Sequence, residues 1–464
     1  MNRPGRYHPV VMLRCLRKTL ALYLLPLIRV LFERDWPAVR TALLQDLALF
    51  AVLTALSWVI LHSGSWQLDE CGALHMRWDL LLRFERVLHP GAAAALVVER
   101  PLLLRLTGAS KVSIYPTGLD KNHTVTLYLS RRDADRLADR LMPARDAVYS
   151  HSFTGGEKLT LAVLGANALS TLALMALALR ESRGIAADAH GLAWTQLHQA
   201  AEFAARWLPA GAAWLLVLAA VVLGASLLRS AGHTARYTVW RTAELLCSRG
   251  GLLRRWEYRV RRSQISSADL RVSPMSLLLR RFPVFVTAGC FAGELPLMLY
   301  CPGQQTLLEQ LLPGFRFPPE GRVETRRRSL VFFAPAGAFF GLCVLLAAVA
   351  SYTLPALTLP LALLAAVGLA FLAAAAAGYL WEGVWARDGR LTLRRQRGLH
   401  MSCLCVFHPD TALTLRQSPW AVQARRANLT LACPGRVRYR VRSVPLADAA
   451  ACLSALEAGP RPES

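Results

Sequence analysis

Ser273-Pro274-Met275-Ser276-Leu277 runs on through Arg280-Arg281 to Val284-Phe285-Val286, and Ser418-Pro419-Trp420-Ala421-Val422 runs on through Arg425-Arg426 to Leu429-Thr430-Leu431. From the serine onward the two stretches agree without a gap. A looser version begins at Arg100-Pro101-Leu102-Leu103 and passes Arg105 and Gly108 to reach Val112-Ser113-Ile114. The strand endings Thr117-Gly118 and Thr287-Ala288-Gly289 correspond as well. Upstream, Gly250-Gly251 before Leu252 and Gly398 before Leu399 mark a shared reversal, where glycine suits a turn that needs positive φ. The chain is therefore a repeat of three units, and its fold has to be read as a repeat.

Working outward, each unit is preceded by two apolar runs. Arg17 to Phe32 and Thr41 to Leu61 precede Trp66 to Ala144. Leu159 to Leu179 and Trp207 to Leu228, with the connector Glu181 to Arg206 between them, precede Tyr237 to Leu312. Leu330 to Ala350 and Leu357 to Leu380 precede Leu391 to Leu456. About 20 apolar residues cross a bilayer, so the runs predict six spans as three hairpins. A re-entrant or tilted first hairpin is the alternative, because Arg29 and Asp46 lie in or beside it. The soluble units alternate like strands: Val125, Leu127 and Leu129 face one way, Thr124, Thr126 and Tyr128 the other. Ser130 before Arg131, Arg132 and Asp133 reads as a helix cap, followed by the stripe Ala134, Leu137, Ala138, Leu141 and Met142. Closing helices are expected behind Pro302 and Pro445.

Composition fits a membrane protein better than an ordinary soluble enzyme. Of 464 residues, 54% are hydrophobic, and Lys and Arg outnumber Asp and Glu by 54 to 30, a net charge of +24; mean hydropathy is +0.33. Arg3, Arg6, Arg14, Arg17 and Lys18 precede the first run, and no cleavage motif follows it, which reads as an anchor. The positive-inside tendency places both termini and all three soluble units in the cytoplasm of a bacterial inner-membrane protein. The ten cysteines follow no disulfide pattern: Cys71, Cys247, Cys290 and Cys301 read as reduced thiols, Cys15 and Cys343 as small hydrophobes.

Taken together, the hairpins, the glycine-hydrophobic reversal, Ile265, and the serine-proline stretch leading to arginine and glycine resemble the bacterial pleckstrin-homology-like domain of membrane proteins. The resemblance covers nearly the whole chain in three copies. Gly250, Leu252, Pro274 and Arg280 or Arg281 carry it in the middle copy; Pro101, Arg105, Gly108 and Thr117-Gly118 in the first; Gly398, Gln417, Pro419 and Arg425 or Arg426 in the third, which has Asn428 near the place of the later glycine. It implies an α+β membrane protein in which each hairpin is followed by a pleckstrin-homology-like β-barrel or sandwich with a C-terminal helix. It also implies association with a sister membrane protein carrying the same domain, and a role in envelope stress or resistance to membrane-active peptides.

Arginines are the candidate binding residues. Arg436, Arg438, Arg440 and Arg442 alternate with Val437, Tyr439 and Val441, so one strand face carries four guanidinium groups. Arg254, Arg255, Arg259, Arg261 and Arg262, with Arg280 and Arg281, form the middle set; Arg425 and Arg426 are the equivalent pair in the third. Two readings stand side by side, an anionic headgroup or acidic-partner surface and a solvated strand face. Arg326 to Arg328 border the fifth run and suit lipid phosphate. Arg29 and Asp46 are the intramembrane polar candidates. The connector carries Trp194, Leu197, Ala201 and Phe203 among His190, His198 and Glu202, an amphipathic pattern.

Catalytic signals are missing from the sequence: there is no phosphate-cradling Gly-rich loop with its lysine, no nucleophile elbow and no His-Glu-x-x-His helix. His400, Cys403, Cys405 and Cys433 are the one cluster with metal-ligating side chains. Their one-residue Cys spacing inside a strand fits core cysteines better than zinc, so no metal or cofactor is implied. His89 and His408 have no convincing partner. The sequence thus points to a non-enzymatic membrane scaffold binding membrane lipids or a partner protein. A lipid or amphiphile transporter is the alternative, and nucleic acid is not expected.

Overall fold

The structure, a computed structural model, describes residues 5–12, 36–79, 83–117, 124–165, 187–207, 210–293, 296–302, 305–315, 317, 334–353, 358–387, 390–397, 400–406, 411–433 and 437–457. The apolar run Arg17 to Phe32, Arg29, Arg326 to Arg328, His408, Arg436 and the Gly398-Leu399 reversal lie outside the described residues.

One element order recurs three times. The first unit has β1 (Gly5–Arg6), α1 (Trp36–Ser63) and the meander β2 (Gly64–Leu68), β3 (Leu74–Asp79) and β4 (Arg83–Leu88). It continues with β5 (Ala93–Arg100), short α2 (Leu102–Leu106), β6 (Ala109–Pro116), β7 (Val125–Ser130) and closing α3 (Arg131–Leu141). The second has β8 (Tyr149–Ser152), α4 (Gly155–Gly165), α5 (Ala187–Ala205), α6 (Ala210–Thr234) and the meander β9 (Thr238–Arg241), β10 (Leu245–Gly250) and β11 (Arg255–Arg261). Then come β12 (Ile265–Val272), α7 (Pro274–Leu279), β13 (Phe282–Ala288), β14 (Phe291–Ala292), β15 (Met298–Tyr300) and α8 (Gln305–Leu311). The third has α9 (Ala334–Thr353), α10 (Thr358–Trp381), β16 (Gly383–Arg387), β17 (Arg390–Arg397) and β18 (His400–Val406), then β19 (Ala412–Arg416), α11 (Pro419–Gln423), β20 (Arg426–Cys433), β21 (Val437–Pro445) and α12 (Leu446–Glu457).

Local chemistry explains the repeated corner. Pro274 sits in the first turn of α7, where its missing N–H costs nothing, and Ser273 and Ser276 cap each other reciprocally. The short helices end in a left-handed residue at equivalent places, Gly108 (φ 73), Arg280 (φ 50) and Arg425 (φ 49). Two arginines thus hold a conformation that suits glycine. Ser130 caps α3 by accepting from Asp133 N at 3.2 Å, and Ala134, Leu137, Ala138, Leu141 and Met142 are buried.

The units do not close on themselves. Strand orders are β1-β2-β3-β4; β7-β6-β5-β11-β10-β9-β8; β14-β13-β12-β18-β17-β16 with β15 on β13; and β19-β20-β21. Strand β5 of the first unit pairs with β11 of the second, with Val97 opposite Tyr258. In the same way β12 of the second pairs with β18 of the third, with Leu270 opposite Cys403. Three apolar cores lie between successive sheets. The expected separate barrels or sandwiches are corrected accordingly: edge strands are covered by neighbouring units, and two sheets run across unit boundaries.

The six-span expectation is corrected too. Among the described residues one stretch, Leu364–Trp381 in α10, is long and apolar enough to cross a membrane, while the apolar helices at Phe50–Ser63 and Ala336–Tyr352 are shorter. The multi-pass inner-membrane localisation, the membrane scaffold with its envelope role and the six-span transport path fall with it. A count of apolar residues does not separate lipid-facing positions from core positions. Leu161 of α4, inside one counted run, is buried in the core that holds Phe153 and Tyr237.

Candidate ligand cavity

At the second seam, where β12 meets β18, the side chains leave a cavity of about 430 Å³. Its walls come from Leu270 and Val272 of β12, Leu277 of α7, Phe282 of β13, Tyr300 of β15, and Met401 and Cys403 of β18. Trp381, at the end of α10, and Phe317 close it. The lining is apolar because alternate residues of β12 and β18 point to the same core. Tyr300 and Phe317 pack with ring centroids 5.9 Å apart.

Two arginines of β17 reach this space, and they differ. Arg395 donates from Nη1 to the Arg438 carbonyl at 3.2 Å and lies 4.5 Å over the Tyr439 ring. Arg394 lies 5.6 Å over the Trp381 ring and hydrogen-bonds Cys403. Among the described residues no carboxylate forms an ion pair with Arg394. Burial pushes the Cys403 thiol up to about 11, against the pull of Arg394, so the thiol is neutral at ordinary pH and works as a wall. The cavity joins an apolar body to two half-buried guanidinium groups, Arg394 and Arg395, an arrangement suited to an amphiphile with an acidic head. Ser402 turns its hydroxyl to Asp269 Oδ1 at 2.5 Å.

The arginines singled out from the sequence are dispersed. Arg259 is 7% exposed and donates to Asp139 at 2.8 Å, to Glu257 at 2.7 Å and to the Met142 carbonyl at 2.8 Å. Arg254 pairs with Glu99 of the first unit. Arg261 donates to the Pro90 carbonyl at 3.1 Å and Arg262 to that of Ala243 at 2.7 Å. Arg255 is exposed, and its guanidinium pKa is held down chiefly by Arg105, then by Arg236, Arg131 and Arg100, so arginines of two units gather there. Arg280 and Arg425 are exposed at their helix ends, Arg281 is half-buried, and Arg426 donates to the Ser443 carbonyl at 2.9 Å. Arg438, Arg440 and Arg442 share the exposed face of β21, opposite buried Tyr439 and Val441. Asp46 lies in α1.

Cys403, Cys405 and Cys433 are buried, and among the described residues no group of three or more His, Cys, Asp or Glu side chains could hold a metal ion. The connector forms α5, with Ala201 buried, Phe203 exposed and His198 3.5 Å from Glu202. Sequence reasoning passed over Arg394 and Trp381. Their only signal was an arginine pair at the end of the buried run Leu391-Thr392-Leu393, and nothing local tells which strand lies opposite. No known protein family, curated protein or solved structure matches the chain.

Proposed function

We propose that the chain is a non-catalytic binding protein that holds an amphiphile with a single acidic head in the cavity between its second and third units. The carrying observation is Arg394, a cation without a carboxylate partner among the described residues, at the wall of a largely apolar space of about 430 Å³ that Arg395 also reaches. Drug-sized ligands occupy cavities of roughly 300–1,000 Å³. Membrane lipids and their free fatty acids both supply the chemistry. The apolar stretch Leu364–Trp381, which ends at the cavity through Trp381, favours a ligand drawn from a membrane. The recurring meander, second three-strand set and closing helix support the pleckstrin-homology-like resemblance as part of this proposal.

The test is titration of the purified full chain with a fluorescent medium-chain fatty acid and with its methyl ester. Saturable binding of the acid, weakened at least tenfold by Arg394→Gln while the ester is unaffected, is the expected result. Competition by fatty acid or by lyso-phospholipid separates the two sources. Equal binding of acid and ester, or an acid affinity indifferent to Arg394→Gln, overturns the assignment.

A further inference from the structure

Another cavity, of about 540 Å³, lies just past the end of the first seam, where the pairing of β11 with β5 stops at Val260. Glu244 of the β9–β10 turn, Arg261 at the end of β11, then Arg262, Ser263 and Ile265, and Phe315 after α8 line it. The backbone fixes both arginines. Arg262 donates from its backbone N–H to the Glu244 carbonyl at 2.8 Å and from Nη1 to the Ala243 carbonyl at 2.7 Å. Thr242 holds the turn that offers these carbonyls by accepting from Leu245 N at 2.9 Å. Arg261 donates from Nη2 to the Pro90 carbonyl of the first unit at 3.1 Å.

The charge of this cluster is not compensated within the chain. Among the described residues no carboxylate forms an ion pair with Arg241, Arg261 or Arg262, and the Nε–H groups of Arg241 and Arg261 are buried without an acceptor. Buried donors in folded proteins are normally satisfied, so an orphaned pair needs an explanation. Burial, and then the charge of Arg241, hold the Arg262 guanidinium below its ordinary pKa. Glu244 is exposed and pairs with neither arginine of the cavity wall. A guanidinium has five N–H donors, and one carbonyl bond apiece leaves donors of both forks for a ligand.

We propose that this cavity binds a phosphomonoester, its phosphate taken by Arg261 and Arg262 with Ser263 as a hydroxyl donor. Planar guanidinium forks match the oxygens of a phosphate, and a bound anion offsets both the burial of Arg262 and its repulsion by Arg241. The buried side chains of Ile265 and Phe315 give the remaining space an apolar wall, which suits the organic part of an ester. This site shares no lining residue with the cavity at Arg394. A lipid headgroup and a soluble metabolite both supply the phosphomonoester.

The experiment uses the full chain in mild detergent, carrying Arg394→Gln so that the other cavity does not contribute to the signal. Calorimetric titration with glycerol 3-phosphate should show saturable binding, and titration with glycerol none. Arg261→Gln and Arg262→Gln should each weaken binding at least tenfold. Glu244→Gln, at an exposed position, should tighten it by removing a like charge, and this keeps the proposal testable if an arginine variant melts early. Detergent micelles doped with phosphatidate or with phosphatidylcholine separate the sources. Competition by phosphatidate alone assigns a lipid headgroup, and binding of glycerol 3-phosphate that neither lipid displaces assigns a soluble phosphomonoester. No saturable binding of glycerol 3-phosphate or phosphatidate overturns the proposal, as does binding that none of the three substitutions changes.

Discussion

The two seams share a backbone device and differ in their side chains. At the first, between β5 and β11, charged groups lock the units. Glu99 of the first unit takes Lys111 at 2.8 Å and Arg254 of the second, and Arg259 of the second reaches Asp139 and Met142 of the first. The fit leaves no slack at Gly289 (φ 52), where an added Cβ would stand 2.6 Å from the Pro116 carbonyl oxygen. At the second seam Asp269 accepts from Ser402 and pairs with Arg271 at 3.2 Å, and side chains of the paired strands wall a cavity. A strand pairing sets which units touch, and the side chains decide whether the joint is filled or receptive. The first seam is a joint and the second a receptacle.

The largest effect should come from breaking the joint at its most buried charge. Arg259→Ala removes a cation bonded to two carboxylates and leaves the Met142 carbonyl without its donor. A loss of about 2–4 kcal/mol is expected, read as a shifted denaturant midpoint. Glu99→Gln should cost less, about 1–2 kcal/mol, because Lys111 and Arg254 keep partial access to water, and its cost should depend on pH. Burial pushes the Glu99 carboxyl up, but hydrogen bonds and charge from Lys111 and Arg254 outweigh it, so its pKa is lowered. A depressed carboxylate stabilises fully above the unfolded value, about 4.3, and that stabilisation is lost as pH falls through the folded value. The gap in melting temperature between wild type and Glu99→Gln should therefore be widest near neutrality and shrink below about pH 4. A gap constant across that range would mean that Glu99 contributes by packing alone.

Much of the local structure was legible in the sequence because local forces make it. The Ser130 cap with its helix stripe, the Pro274 and Pro419 corners and the Arg438-Arg440-Arg442 face follow from capping chemistry, proline geometry and strand period. Strand partners were not legible, since pairing joins residues far apart in the chain. One clue lay in composition: Ala93-Ala94-Ala95-Leu96-Val97-Val98 is apolar without alternation and becomes a strand buried on both faces, as expected for an interior strand. Ala412-Leu413-Thr414-Leu415-Arg416 alternates and, among the described residues, pairs on one side only. The burial of Arg259 was not legible for the same reason. Arg259 looks like a surface cation until the neighbouring unit arrives with Asp139. The candidate cavity depends wholly on a long-range pairing and was invisible.

The smallest change in stability, and the sharpest contrast between seams, should come from Arg394→Leu. Arg259 spends its charge on carboxylates and a carbonyl, so its loss is felt at once. Arg394 has Cys403 and the face of Trp381, and its desolvation is compensated only in part. Replacing it with a shorter apolar residue should change the stability of the ligand-free protein by no more than about 1 kcal/mol in either direction. The cost should appear only with ligand present. At an acid concentration about a hundred times its dissociation constant, binding stabilises the wild type by about 2.7 kcal/mol, and the variant should lose most of that increment while keeping its ligand-free melting point. Thermal melts of both proteins with and without the fatty acid measure the two quantities together. A large drop in the ligand-free melting point would make Arg394 part of the joint, and the second seam would then be locked as the first is.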